Sequence, residues 1–103
     1  MNVKVISIKP TNESKKFLLE MLIGKDSHQF LMTAVTDTIA GEKIQVIKGD
    51  KSFGQTFRFN QELAVKLYKM VSEFNRGQFV KLPVEIGDFS KNEIERVSFM
   101  TKV

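Results

Sequence analysis

The chain is expected to adopt an α+β fold: a mostly antiparallel β-sheet, flat or curled, with one main α-helix over about residues 60–76 packed on one face. Three observations lead there. In the helical segment Leu63, Leu67, Met70, Val71 and Phe74 fall at offsets 0, 4, 7, 8 and 11, one stripe of a 3.6-residue period. Most other apolar runs are short, rich in β-branched or aromatic residues, and bounded by Gly, Pro, Asn or Asp. Finally, 103 residues with 42% hydrophobic content make a single domain, 1–103, with material for one core layer.

Residues 3–9 (VKVISIK) read as a first strand, ended by the turn chemistry of Pro10-Thr11-Asn12. Residues 16–24 admit two readings. As a strand, Phe17, Leu19, Met21 and Ile23 share a face; as a helix capped by Ser14, the segment is apolar nearly all round. The strand is favoured because a polar tetrad, KDSH, follows as a turn, and residues 29–36 then form a second β-like run, together a hairpin. Residues 37–41 (DTIAG) are a turn or one helical turn. Residues 43–48 form a strand with Ile44 and Val46 on one side, and Gly49-Asp50-Lys51 is a connecting turn.

Residues 52–59 read as a strand leading into the helix. The helix has Asn60 as N-cap, Glu62 toward its positive end, Arg76 toward its negative end, and Gly77 as a left-handed C′ residue. Residues 78–86 alternate, with Val80, Leu82, Val84 and Ile86 facing one way. Pro83, which lacks a ladder donor, assigns this strand to an edge or a bulge. A polar loop over 87–92 precedes a last strand over 95–103, with Val97, Phe99, Thr101 and Val103 on one face.

Composition narrows the function. With no cysteine, disulfides, thiolate catalysis and Cys-ligated metals are excluded, and no apolar run suits a signal peptide or a membrane span, so the chain is expected to be cytoplasmic and not membrane-bound. The net charge of +4 is uneven: residues 1–25 and 51–76 are basic, while 26–50 are acidic. Such an excess ordinarily serves solubility. His28 stands alone in a polar turn beside Asp26 and Ser27, without a third group to orient it. Asp26, Asp37, Glu42 and Asp50 lack metal-ligand spacing, and the glycines form neither a P-loop nor a dinucleotide fingerprint. No catalytic residue, metal or cofactor is therefore expected, and the chain is read as a non-enzyme.

The segment Lys51-Ser52-Phe53-Gly54-Gln55-Thr56-Phe57-Arg58-Phe59 is the most suggestive. On a strand it would display Phe53, Phe57 and Phe59 on one face with Lys51 and Arg58 nearby, a pattern that stacks bases and holds phosphates. At Lys51, Phe53 and Gly54 it resembles the RNP1 motif of the RNA-recognition motif family, and it departs from that motif at Ser52, Gln55 and Arg58. The resemblance implies a nucleic-acid-binding surface, with Lys66 and Lys69 nearby. The simpler alternative is that the Phe face packs under the helix.

Sheet edges offer a further feature. The strand carrying Pro83 and the terminal strand over 96–103 are candidate edges able to accept a partner strand or a second copy. Phe79, Phe89 and Met100 are candidate interface anchors. The leading expectation is a small non-catalytic adaptor that contacts another protein or a second copy of itself; the alternative is a nucleic-acid-binding module using Lys51, Phe53, Phe57, Arg58, Phe59, Lys66 and Lys69.

Overall fold

The computed structural model describes residues 1–89. Its elements are β1 (Asn2–Pro10), β2 (Lys16–Ile23), β3 (Asp26–Ile39), β4 (Glu42–Gly49), α1 (Lys51–Thr56), α2 (Gln61–Asn75) and β5 (Val84–Asp88). The five strands form one antiparallel sheet in the order β4-β3-β2-β1-β5, curled into a half-barrel, and α2 is the main helix packed on it. The α+β expectation holds.

Alternation along the strands decides which face is covered. Val3, Val5 and Ile8 of β1, Phe17, Leu19, Met21 and Ile23 of β2, and Phe30, Met32 and Ala34 of β3 are all buried on one side. The strand reading of residues 16–24 is correct, and its inward residues are those of the sequence pattern. In β1 the spacing slips: the register against β2 passes from Val5↔Met21 to Ser7↔Glu20, leaving Ile6 as an extra residue. This bulge turns both Ile6 and Ser7 outward and returns Ile8 to the core.

α2 closes the covered side. Leu63, Ala64, Leu67 and Val71 are buried, while Met70, Phe74 and Tyr68 pack partly against them. Asn60 caps it by accepting from the Leu63 N–H at 3.2 Å. At the other end Gly77 (φ 75°) donates to Phe74 and Gln78 donates to the carbonyl of Glu73, the paired bonds of a Schellman ending.

The expected strand over 52–59 does not form. α1 runs through it, capped by Asp50, whose Oδ1 accepts from the Phe53 N–H at 2.8 Å. Phe53 and Phe57 are four residues apart, so one helical turn aims both rings inward, where each is 1% exposed. An extended chain would also have put them on one face, which is why spacing alone misled. The second carboxylate oxygen of Asp50 accepts from the Leu31 N–H at 2.9 Å, continuing the β3–β4 ladder past the end of β4 at Gly49. Replacing Asp50 by Ala should therefore cost more than a simple cap, about 1–3 kcal/mol. Chemical denaturation would show it; a loss no greater than about 0.5 kcal/mol, typical of an inert surface position, would contradict this bridging role.

Three smaller expectations also change. The KDSH turn shrinks to Gly24-Lys25, because Asp26, Ser27 and His28 pair with Ile23, Leu22 and Met21. Gly24 has φ 63° and Lys25 does not have positive φ, the sense of a II′ hairpin loop. Asp37–Ile39 of the supposed turn belong to β3, and the β3–β4 loop is Ala40-Gly41, both with positive φ. The strand expected over 78–86 begins only at Val84, directly after Pro83. Among the described strands it lies at the sheet edge, and its register shifts against β1 between Val3 and Lys4. The terminal strand over 95–103 and Met100 lie outside the described residues.

Candidate docking surface

The sheet has a second face, and among the described residues no helix covers it. It is built from the other half of each strand's alternation. Leu18 of β2 stands opposite Leu31 of β3, Val35 of β3 opposite Val46 of β4, and Ile44 opposite Asp37. Leu18, Leu22, Val35 and Val46 are half-buried by their neighbours alone, while Ile6, Leu31 and Ile44 are exposed at 36–38%. Beyond Val35 and Val46 the β3–β4 hairpin projects past the core, with Ile39 at 53% exposure near its tip.

Polar groups divide this surface. Lys16, Thr33 and Lys48 line up across β2, β3 and β4 between the two aliphatic pairs. On the β1 side Lys4 stands opposite Glu85, and Ser7, Glu20 and Gln29 form one row. Glu20 Oε1 accepts from Lys9 Nζ at 2.9 Å and from Ser7 Oγ at 2.9 Å. The Lys9 hydrogen bond, helped by that of Ser7, holds the Glu20 carboxyl below the usual glutamate range. The lysines of the face (Lys4, Lys9, Lys16, Lys48) are thus offset by its acids (Glu20, Asp37, Glu42, Glu85, Asp88), which leaves no positive excess.

A pH consequence follows. A carboxylate whose folded pKa is depressed adds stability above its unfolded pKa, and that contribution is lost as pH falls through the folded value. The melting temperature of Glu20→Gln should lie slightly below that of the wild type at neutral pH, the pair being exposed. The gap should close below about pH 4. A gap that stays constant from neutral to acid pH would show that the carboxylate charge is not what Glu20 contributes.

The residues singled out for nucleic acid do not assemble into a platform. The rings of Phe53 and Phe57 are inside: Phe53 lies 5.5 Å from Phe30 and 5.2 Å from Tyr68, and Phe57 lies 4.8 Å from Phe53. Neither ring can stack on a base, because the core occupies its faces. Phe59 is half-buried, with the exposed Arg58 guanidinium 5.2 Å from its ring centroid. Lys51 is exposed at the start of α1. Lys66 and Lys69 are exposed on α2, where Lys66 Nζ donates to the Ile86 carbonyl at 3.0 Å.

The proposed anchors separate as well. Phe79 is 88% exposed, as an anchor requires. Phe89 instead packs inward, stacked on Phe57 at 5.6 Å and 21°, so its apolar surface already serves the core. His28 is half-buried in β3 rather than in a turn, and its ring lies parallel to that of Phe30 at 5.9 Å. Among the described residues no three His, Asp or Glu side chains come together as metal ligands, and no helix is long and apolar enough to cross a membrane. Sequence reasoning recognises that both faces of several strands carry apolar residues but names no contact residue on this face. The available signal was the even-numbered positions of residues 16–23, where Leu18 and Leu22 stand opposite the strongly apolar odd positions. Comparison of the chain with protein-family models, with curated proteins and with solved structures finds no match.

Proposed function

We propose that the chain is a non-catalytic binding domain that docks another protein on the uncovered face of its sheet. The observation that carries this reading is the pairing of Leu18 with Leu31 and of Val35 with Val46 on a face that carries both lysines and acids with no positive excess. Aliphatic side chains rimmed by both signs of charge suit a protein surface. A phosphate backbone calls for net positive charge and exposed rings, and this face offers neither. Acid–base catalysis draws less support still. Among the described residues Asn60 is the one buried polar side chain, and the lowered pKa of Glu20 is accounted for by Lys9 and Ser7.

The test compares three baits in a native extract: the wild type, Leu31→Asp on the uncovered face, and Val65→Asp on the exposed side of α2. A protein retained by the wild type and by Val65→Asp but lost with Leu31→Asp is the expected result. Identical retention by all three baits would overturn the reading. So would a salt-sensitive gel shift with single-stranded DNA or RNA that survives Leu31→Asp, since that would move function to a basic surface elsewhere.

A further inference from the structure

The two edges of the sheet are treated differently by the sequence. At β5 the edge is short, follows Pro83, breaks register against β1, and has one carbonyl, that of Ile86, taken up by Lys66 Nζ at 3.0 Å. These are the features that discourage strand addition. At β4 none of them is present. Glu42–Gly49 is eight residues long, contains no proline, and pairs with β3 from Ile39↔Glu42 to Met32↔Gly49 without a register shift. No described residue pairs with its outer edge.

We infer that β4 pairs with β4 of a second copy, antiparallel about a two-fold axis at Gln45. Two identical edges related by a two-fold axis must run antiparallel. Opposed residues must also share a face, which restricts the register to even steps. With Gln45 opposite Gln45 of the second copy, Glu42 meets Lys48 twice and Ile44 meets Val46 twice, all on the uncovered face. Moving the axis to Val46 places Ile44 against Lys48, and moving it to Ile44 places Glu42 against Val46. The register centred on Gln45 is the one that pairs opposite charges and aliphatic side chains together. On the covered face Gln45 is held by Asn75, whose Nδ2 donates to its Oε1 at 2.7 Å, so the strand is fixed in place before a partner arrives. The β4 pairing is independent of what the uncovered face binds; it joins two such faces edge to edge.

Sedimentation of the full chain should show a concentration-dependent species of twice the 11.8 kDa chain mass. Glu42→Lys or Lys48→Glu alone sets like charges opposite one another at both ends of the pairing and should raise the dissociation constant about tenfold or more. The double variant carrying both changes should restore it. Because the chain has no cysteine, Gln45→Cys should give a disulfide-linked dimer under mild oxidation, whereas Lys43→Cys alone should not. A monomer up to millimolar concentration, a dimer indifferent to the single charge changes, or cross-linking through Lys43→Cys but not Gln45→Cys would each overturn the pairing.

Discussion

Phe53→Ala should lower the unfolding free energy by about 3–5 kcal/mol, the range for truncating a buried aromatic side chain. Few positions in the chain concentrate so much in one side chain. Its ring meets Phe30 edge-on at 5.5 Å, Phe57 at 4.8 Å and Tyr68 at 5.2 Å, and so joins β3, the residue following α1, and α2. The ring also rests on the Gly49 backbone: a Cβ added at Gly49 would lie 2.5 Å from a Phe53 ring carbon and 2.8 Å from its Cβ. The end of β4 is thus shaped to the ring, and removing the ring leaves a void that a rigid strand cannot close. The stability of a domain of this size is only about 5–15 kcal/mol, so a loss of this order removes a large fraction of it. Phe79→Ala is the matched control, at 88% exposure, and should change stability by no more than about 0.5 kcal/mol. Urea titration of both variants measures the difference. A Phe53→Ala loss below about 1 kcal/mol would mean that the ring is not enclosed as described.

The same residue shows where the sequence was ambiguous. Phe53, Phe57 and Phe59 satisfy period two, while Phe53 and Phe57 alone satisfy a helical turn, and local propensity with Gly54 between them favours neither strongly. The choice is made elsewhere in the fold. Asp50 caps a helix while bonding the Leu31 amide of β3, and Gly49 leaves room for the ring. Neither circumstance can be read from spacing within 52–59. By contrast, α2 was legible because independent local signals coincide: the Leu63–Val71 stripe, the Asn60 cap and the Gly77 ending are all set within one segment. The strands of the β2–β3 hairpin were legible for the same reason, apart from the length of their turn. The uncovered face was hidden for a different reason. Alternation places Leu18 and Leu22 together, but only the topology reveals that both helices pack on the other side of the sheet. Phe89 likewise reads as a loop residue until the β1–β5 pairing carries it back over Phe57.

Leu67→Asp should leave the chain without a cooperative fold at neutral pH, whereas Val65→Asp, two residues away on the same helix, should melt within a few degrees of the wild type. Leu67 is 0% exposed in the middle of the α2 stripe, and Val65 is 61% exposed. The substituted carboxylate at 67 has no cation to meet: the side chains sharing the core are Val, Ile, Leu, Met, Phe and Ala, and the lysines of α2 lie on its exposed side, with Lys66 Nζ held by the Ile86 carbonyl. Burying an ionised carboxylate among such groups costs more than the domain has to lose, so the group either protonates or drags the helix off the sheet. Partial rescue at low pH, where the new carboxyl is neutral, should accompany the defect and identify charge rather than size as its cause. Circular dichroism melts of both variants at neutral and acid pH provide the measurement. A cooperative Leu67→Asp melt at neutral pH would place the α2 stripe outside the core. The uncovered face would then no longer be the side of the sheet left free for a partner, since that assignment depends on α2 occupying the other.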